Sequence, residues 1–358
     1  MNSTKEKKAD YISHHLPTYR VADNLDDKDS KKNDVLRFST SENPKSSKGM
    51  APSRIVAAVI ITLGHVISLY AIYDMMFNLS GWMAFKWFLA AFLTYILTGT
   101  MGITAGVHRL WSHRSYKAKF PARLILAFMN TMANQGSIIH WSLEHRVHHI
   151  HVDTDADPHN INRGFFYAHM GWLFSPRTDA FIEARKTVDL SDLYADPICY
   201  YQDKYYVYLS MFFCYVFPSI IGHYVAGDAL RGFLYLGVLR WILLLHATWN
   251  VNSVAHTWGT RPYRPEEKAT EFAPVSFFSG GEGWHNYHHA FPWDYAASES
   301  RADVYWRFNL ARFWIDSFAA LGWVYDRKVM RNASGKPLTE VTEADAIPAT
   351  MRDHVSTH

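Results

Sequence analysis

The sequence predicts an all-α integral membrane protein, with four transmembrane helices in two hairpins and a cytosolic helical cap. Three observations predict this fold class: four long apolar segments, an uneven distribution of Lys and Arg between them, and histidine clusters just outside them. Apolar residues make up 49% of the 358 residues and aromatic residues 16%, which suits a membrane protein with aromatic belts at the bilayer surfaces. A formal net charge of only +3 does not indicate a nucleic-acid partner.

The two ends of the chain are polar. Residues 1–50 are charged and lack apolar runs, so they cannot bury enough apolar surface to fold and are expected to be disordered. No apolar stretch with a cleavage site opens the chain, and no removed signal peptide is expected. Residues 329–358 are expected to form a polar C-terminal tail.

The apolar segments span about residues 54–77, 82–106, 206–225 and 230–250. Each is close to or above the roughly 20 residues that a helix needs to cross a bilayer. The predicted organisation is therefore a hairpin over 51–106, a cap region over 107–205, a second hairpin over 206–250 and a second cap region over 251–328.

The charges predict the orientation. The connections inside the hairpins, "NLSG" and "AGDA", contain no Lys or Arg, whereas the N-terminal tail and the segment between the hairpins contain many. Because cytosolic loops carry the excess of positive charge, both termini and the cap are expected in the cytosol.

A few membrane residues need an explanation. Arg240 lies in the middle of the fourth segment and is either a functional group with a partner inside the bundle or a structural pairing at a helix end. His65 and His223 stand singly on apolar segments and are expected to be packing residues. Cys199 and Cys214 make no disulfide framework and are expected to be small packed thiols.

Eight of the 20 histidines fall in three clusters on the predicted cytosolic side. The clusters are "HRLWSH" with His108 and His113, "HRVHH" with His145, His148 and His149, and "HNYHH" with His285, His288 and His289. The second and third share the spacing His-x2-His-His, and chance is a poor explanation for two copies of so rare a pattern.

Helix geometry brings these side chains together. Positions i, i+3 and i+4 lie within about a 100° arc of an α-helix, so each His-x2-His-His set projects from one face if its segment is helical. His108 and His113 are five residues apart, about 140° round an α-helix. They either lie where the second membrane helix ends or serve different metals.

Eight histidines exceed the needs of one ion and suit two ions with about four nitrogen ligands each. Imidazole binds zinc, iron, copper and nickel. A redox metal with open positions would activate oxygen, whereas a closed zinc site would be structural. Glu144 precedes His145 and is not in the HExxH order of a zinc protease. Our interpretation is a catalytic dimetal site carried by the cap.

At these residues the chain resembles the membrane-bound acyl-CoA desaturases of the stearoyl-CoA Δ9 type. The resemblance covers about residues 54–328 and is carried by the motifs "HRLWSHRSYKA", "EHRVHH", "DADPHNINRGFF", "HMGWLF", "NSVAH" and "GEGWHNYHHAFPWDY". It implies nine histidine ligands to two iron ions: the eight above and His256 in "NSVAH". It further implies that Asn252 reaches one metal through water.

The implied reaction is the O2-dependent removal of two hydrogens from adjacent methylenes of a saturated long-chain fatty acyl-CoA, and Δ9 is the expected position. Unactivated C–H bonds require a strong metal–oxygen oxidant, which protein acid–base groups cannot supply. In relatives a separate cytochrome b5 and its NADH-dependent reductase supply the electrons. The resemblance also implies a multi-pass protein of the endoplasmic reticulum membrane.

The resemblance extends to the substrate tunnel. Trp141 and Trp249 are similar to tryptophans that line its bend, and Gln135 and Thr248 to the polar pair that shapes it. Ile96 and Thr100 occupy the positions at the chain end, where relatives that accept an 18-carbon chain usually have a residue smaller than Thr100. A somewhat shorter preferred chain is the expectation.

The sequence departs from the family where relatives hold the CoA group. Leu143 and Pro176 stand where many members have arginine, which weakens a phosphate clamp. Arg177 keeps a basic group there, and Glu144 keeps an acid near the head group or a metal ligand. His151 lies off the ligand face and is expected at the surface or beside a ligand.

Two alternatives stay open. The same metals could give hydroxylation or a double bond at another position. A non-redox metal-binding or metal-transporting membrane protein is more remote, because a transporter places its ligands near the bilayer midplane and these lie beyond the helix ends.

Overall fold

The computed structural model describes residues 52–298 and 309–331, and within them the chain is mostly helical, with only two short strands. The predicted disordered tail over 1–50 lies outside the described residues, as does the predicted C-terminal tail beyond residue 331. Four described helices are long and apolar enough to cross a membrane. The prediction of an all-α, multi-pass membrane protein is confirmed.

The first pair of membrane helices is α1 (Pro52–Phe77) and α2, which spans Gly81–Ser112. Ser80 caps the start of α2, since its hydroxyl accepts a hydrogen bond from the Met83 backbone. The last part of α2, Thr98–Ser112, is a π-helix with i→i+5 hydrogen bonds. It therefore continues beyond the predicted boundary at residue 106 and into the cap.

The first cap region begins with the strand β1 (Lys117–Ala118) and two helices, α3 (Phe120–Ala133) and α4 (Ile138–Ile150). α3 ends at Asn134, whose φ of 51° turns the chain, and Ser137 caps α4 through its side chain. Four short helices follow: α5 (Phe165–His169), α6 (Asp179–Ala184), α7 (Ser191–Tyr194) and α8 (Pro197–Lys204). A 3-10 turn at Ile161–Arg163 precedes α5, and two more at Gly171–Phe174 and Arg185–Thr187 lie between the helices. The membrane helix α9 (Tyr206–Ala226) comes next.

The second pair of membrane helices is α9 and α10, which spans Ala229–His256. They cross closely at two glycines, because a Cβ at Gly222 would lie 2.6 Å from the Gly232 Cα. At the turn end of the bundle, Asp74 of α1 accepts a 2.9 Å hydrogen bond from the Arg231 guanidinium of α10 and another from the Tyr235 hydroxyl. This ionic contact joins the two hairpins at the end away from the histidines.

The second cap region contains α11 (Ala273–Ser279), α12 (His285–Ala290), α13 (Leu310–Ala320) and the strand β2 (Val324–Tyr325). β2 pairs antiparallel with β1, with Lys117 opposite Tyr325. Helix α13 packs along the π-helical part of α2. The chain after the second hairpin therefore returns to the first, and the cap is built from both halves.

Arg240 is fully buried in the middle of α10 and does not lie at a helix end. Its guanidinium donates to the backbone carbonyls of Leu236 and, at 2.8 Å, of Met132 in α3, and lies 3.3 Å from the Cys214 Sγ. These contacts join three helices, so Arg240 is a structural crosslink whose partners lie inside the bundle. Both cysteines are buried free thiols, as predicted.

Candidate dimetal centre

Five histidines converge at the C-terminal end of α2. Their ring nitrogens all lie within 4.8 Å of one another, and the members of this five-histidine group are His108, His113, His145, His149 and His288. Nε2–Nε2 distances within the group are 2.7 Å for His113–His145, 2.9 Å for His149–His288 and 3.0 Å for His108–His288. All five side chains come from the three predicted clusters.

Four further histidines form a second group beside the first: His148, His256, His285 and His289. The His285 Nε2 lies 3.0 Å from the Nε2 atoms of both His256 and His289. The structure thus brings all nine predicted histidines into two neighbouring groups, and helices α4 and α12 contribute to both. His151, at the end of α4, belongs to neither group.

The π-helix explains the five-residue spacing of the first cluster. The His113 backbone N–H donates to the His108 carbonyl at 3.1 Å, an i→i+5 bond, so the two side chains follow one another on the same face. An α-helix would have separated them by about 140°. The two alternatives from the sequence, a position at the helix end or ligation of different metals, both assume α-helical geometry. The residues do lie at the end of α2, and they join one group.

Arg146 holds this helix end in place. The side chain is fully buried, and its Nη2 donates to the Trp111 carbonyl at 2.7 Å and to the Asp192 carboxylate at 2.8 Å. Its Nε donates to the Ser112 carbonyl. The last carbonyls of α2, which lack helical partners, are thereby satisfied just before His113.

Carboxylates contact the histidine nitrogens that point away from the groups. The His108 Nδ1 lies 3.0 Å from Glu282, and the His148 Nδ1 lies 2.8 Å from Asp157. The other two such pairs are His289 with Glu267 at 3.2 Å and His256 with Asp153 at 3.6 Å. Metal-bound histidines commonly donate their second nitrogen to a carboxylate, which fixes the ring and its tautomer.

The ionisation of the groups also fits metal binding. Burial, reinforced by neighbouring histidines, lowers the pKa of six of them, so that they stay neutral and keep a lone pair for a metal: His113, His145, His149, His285, His288 and His289. Burial would also lower the pKa of His148, but the Asp157 carboxylate raises it.

Glu282 stays ionised beside the five-histidine group. Burial raises its pKa, but His108 and Arg109 outweigh that effect and lower the pKa to about 2. Facing Nε2 atoms about 3 Å apart, with carboxylates behind them, form a donor set that suits two ions of a metal that prefers imidazole.

Two cavities that share part of their lining adjoin the histidines. The larger, of about 630 Å³, is lined by six predicted substrate residues: Gln135, Trp141, Glu144, Arg177, Thr248 and Trp249. The smaller is lined by Gly99, Ile103, Thr104 and Leu244, and it reaches His108, His148 and His285. Trp141, His145, Thr248 and Asn252 line both cavities, so the space passes directly beside the dimetal groups.

Comparison with known proteins identifies the family. The fatty acid desaturase family matches residues 82–299. The chain is 46% identical to a stearoyl-CoA desaturase of Capra hircus over 243 residues, 68% of this chain and 67% of that one. It is 45% identical to the stearoyl-CoA desaturase of Homo sapiens over 241 residues (67% and 66%). It is also 45% identical to the (11Z)-hexadec-11-enoyl-CoA conjugase of Bombyx mori over 230 residues (64% and 69%).

The chain belongs to the fatty acid desaturase family. It is accordingly an oxidoreductase of the acyl-CoA desaturase type, and four of the six motifs that carried the resemblance supply the nine histidines of the two groups. Its four carboxylates behind the histidines were not singled out from the sequence. Asp153 and Asp157 lie within eight residues after the second histidine cluster, and Glu282 lies three residues before the third, which is the signal that could have found these three. Glu267 lies outside the clusters, and its contact with His289 is set by long-range packing.

The mouth of the larger cavity in this desaturase is charged. The Arg177 guanidinium donates to the Glu144 carboxylate and also lies 4.5 Å from the Phe181 ring centre. His140 approaches the same carboxylate at 3.5 Å. Leu143, in contrast, is buried in an apolar cluster with Phe181 and does not line the cavity.

The predicted chain-end residues lie apart from the cavity lining. The Thr100 hydroxyl donates to the Ile96 carbonyl at 2.6 Å and accepts from the Trp314 indole at 2.9 Å. Neither Ile96 nor Thr100 lines either cavity, whereas Gly99 and Ile103 of the same helix line the smaller one. Their role at the chain end stays a prediction.

Proposed function

We propose that this desaturase introduces a double bond at Δ9 into a saturated long-chain fatty acyl-CoA. Two iron ions at the two histidine groups would use O2, with electrons from cytochrome b5 and its NADH-dependent reductase. The observation that carries the proposal is a mostly apolar cavity that lies directly beside the two groups of clustered imidazoles. A saturated chain needs just such a path to a strong oxidant.

The residues of the centre have separate roles in this proposal. The five-histidine group would hold one iron, the four-histidine group the other, and Asn252, which borders both cavities, would reach one iron through water. When bound, the irons supply the oxidising power that removes two hydrogens from the substrate while O2 is reduced to water. Glu282 and Asp157 hold the His108 and His148 rings in the orientation that this requires.

Other residues position the chain and exclude water. Trp141 stacks on His145 with the ring centres 4.8 Å apart, so it would press one wall of the cavity against the centre. Gln135 and Thr248 both donate to the Leu244 carbonyl at 3.3 Å, which ties the loop before α4 to α10. Fixing both walls would place one pair of substrate carbons at the metals and so set the position of the double bond.

The polar mouth would receive the CoA group. Arg177 is the cation nearest to the expected head group. Its ion pair with Glu144 would either orient the guanidinium toward the CoA phosphates or break when those phosphates bind. Without arginines at Leu143 and Pro176, head-group affinity is expected to rest more on Arg177. At the other end Thr100, held by Trp314, would limit the chain to somewhat fewer than 18 carbons.

The same family relation and the charge distribution support the cellular setting. The bundle would lie in the endoplasmic reticulum membrane with both termini and the cap in the cytosol, where cytochrome b5 could reach it. Protease accessibility of tagged termini in microsomes tests this orientation. Protection of either terminus would contradict it.

Expression in a yeast strain that lacks its own Δ9 desaturase tests the activity. The wild-type chain is expected to restore growth and to yield unsaturated fatty acids whose double bonds are located by mass spectrometry. His148→Ala removes one ligand of the four-histidine group and is expected to abolish the product. His151→Ala, three residues further along the chain and in neither group, is the matched control and should leave it intact. Normal desaturation by well-expressed His148→Ala protein would overturn the proposal.

Product analysis also tests the alternatives. The 45% identity to a relative named as a (11Z)-hexadec-11-enoyl-CoA conjugase keeps another regiochemistry open, and a hydroxylated product would indicate a hydroxylase. Bound zinc in protein from a native membrane, without O2 consumption when acyl-CoA, electron donor and iron are supplied, would support the non-redox alternative.

A further inference from the structure

A second set of histidines lies outside the dimetal centre, behind Trp249. His65 of α1, His246 of α10 and His169 of α5 come from three separate parts of the chain. The Nε2 atoms of His65 and His246 are 3.0 Å apart, and the His169 Nε2 is 3.0 Å from the His246 Nδ1. Since His246 uses both ring nitrogens, the three form a linear chain and do not surround a single point where a metal could bind.

Both ends of this histidine chain are anchored. The His65 Nδ1 donates to the Ile61 carbonyl at 2.7 Å. The His169 Nδ1 lies 2.9 Å from the Ser253 hydroxyl, which itself donates to the Trp249 carbonyl at 2.8 Å. The histidine chain therefore connects the helices α1, α5 and α10 through side-chain hydrogen bonds.

All three rings contact the Trp249 indole. His65 lies nearly parallel to it at 6.5 Å between ring centres, while His246 at 5.0 Å and His169 at 5.7 Å meet it edge-on. Trp249 is almost completely buried, and it also lines the larger cavity. The indole is thus held between the histidine chain and the space assigned to the substrate.

We infer that His65, His246 and His169 are positioning residues that fix Trp249 as a wall of the acyl cavity. The inference rests on the proposed function, because it takes this cavity as the path of the acyl chain. None of the three histidines touches a member of the dimetal groups among the described residues, so their effect on the reaction passes through Trp249.

The histidine chain has one hydrogen fewer than its hydrogen bonds need. Five hydrogen bonds run from the Trp249 carbonyl through Ser253 and the three histidines to the Ile61 carbonyl, whereas one hydroxyl and three neutral imidazoles carry four hydrogens. One added proton would therefore supply the hydrogen that the fifth hydrogen bond lacks. The titratable groups that act on His246 are His65 and His169, and among the described residues no carboxylate contacts the three.

An amide at position 246 offers a matched variant. The glutamine NH2 carries two hydrogens, so in His246→Gln it can donate a hydrogen bond to each of the two neighbouring imidazoles without an added proton. His246→Leu keeps a side chain of similar length but breaks both bonds. His223→Leu is the control, because His223 is an exposed histidine on another membrane helix and its described ring contact is with Tyr224.

The experiment measures binding of palmitoyl-CoA and stearoyl-CoA to purified protein in detergent, and double-bond position in the yeast strain. His246→Leu is expected to weaken binding about tenfold and to spread the double bond over neighbouring positions, since a wall that shifts by about 1 Å misplaces the reacting carbons. His246→Gln and His223→Leu should bind within about twofold of wild type. His65→Phe, which keeps the ring against Trp249 but loses the hydrogen bond, should fall between.

Rescue by the amide separates this role from simple packing, because His246→Gln can still hydrogen-bond to both neighbouring imidazoles, whereas His246→Leu keeps only the bulk of the side chain. Unchanged binding and product position in both His246→Leu and His65→Phe would overturn the inference, as would equal losses in His246→Leu and His246→Gln. A wild-type chain that makes no unsaturated product would instead overturn the proposed function.

Discussion

Glu282 is a single carboxylate on which one half of the metal centre depends. One of its oxygens lies 3.0 Å from the His108 Nδ1, and the other accepts a 2.7 Å hydrogen bond from Arg109. Because the group is buried and ionised, it both orients the His108 ring and balances the Arg109 charge. The five-histidine group depends on this contact, whereas the four-histidine group has its own carboxylates.

Glu282→Gln is therefore expected to affect one ion selectively. A neutral amide cannot satisfy both partners, and loss of such a contact typically costs 10–100-fold in metal affinity. After dialysis against a weak chelator, iron should fall from about two to about one per chain by elemental analysis. Glu183→Gln is the matched control, since Glu183 is exposed and pairs with Lys186. Equal loss of both ions, or of neither, would contradict the prediction.

At the scale of single residues, the sequence predicts the clustered histidines better than it predicts the side chains that contact them. The His-x2-His-His spacing places three ligands on one helix face, and family resemblance adds His256. The partners of these rings are set by long-range packing: Glu282 lies 173 residues from Arg109 in the chain. No local pattern predicts that His246 meets His65, because the two lie on helices of different hairpins.

Among the elements, α2 combines two environments in one helix. Its first part, Gly81–Leu97, is a membrane α-helix, and its π-helical end carries His108 and then His113 into position. The sequence predicts the existence of all four membrane helices because length and apolar content suffice. It underestimates the lengths of α2 and α10, because their polar last residues are buried by the cap and therefore remain helical.

Gly102 allows α3 to pack against α2. A Cβ at this position would lie 2.4 Å from the Met129 backbone carbon and 2.5 Å from the Asn130 nitrogen. Backbone cannot move aside as a flexible side chain can, so Gly102→Ala is expected to push α3 away and destabilise the protein by about 1–3 kcal/mol or more. Thermal unfolding in detergent should show a lower midpoint.

Gly81→Ala provides the comparison for Gly102→Ala. Gly81 begins the same helix, and a Cβ there would meet no atom within 4 Å. Its unfolding midpoint should equal or slightly exceed that of wild type, since alanine favours a helix more than glycine does. Equal midpoints for the two variants would show that the close approach at Gly102 does not limit packing.

For the molecule as a whole, the buried neutral imidazoles predict how stability depends on pH. Burial lowers the pKa of six histidines of the two groups, so the folded, metal-free protein binds fewer protons than the unfolded chain below about pH 6.5. Each such group removes up to about 1.4 kcal/mol of stability per pH unit as the pH falls. His148, whose pKa is raised, acts in the opposite direction and offsets part of this loss.

The chelated protein is therefore expected to unfold at a clearly lower temperature at pH 5.5 than at pH 7.5. Differential scanning fluorimetry of metal-free protein in one detergent checks this. His151→Ala should show the same dependence, because His151 is outside both groups. A midpoint that stays constant or rises on acidification would mean that the imidazoles are protonated in the folded state.

The distribution of the ligands over the chain also fixes the order in which the centre can form. α2 supplies His108 and His113, α10 supplies His256, and His288 and His289 are the last members of their groups to be synthesised. The five-histidine group is complete only after residue 288 has been synthesised, and the four-histidine group only after residue 289, when both hairpins precede them in the chain. The metal must then be delivered after translation is nearly finished, to a cavity whose walls are already assembled, and any chain that stops before residue 288 would carry both binding sites unfinished.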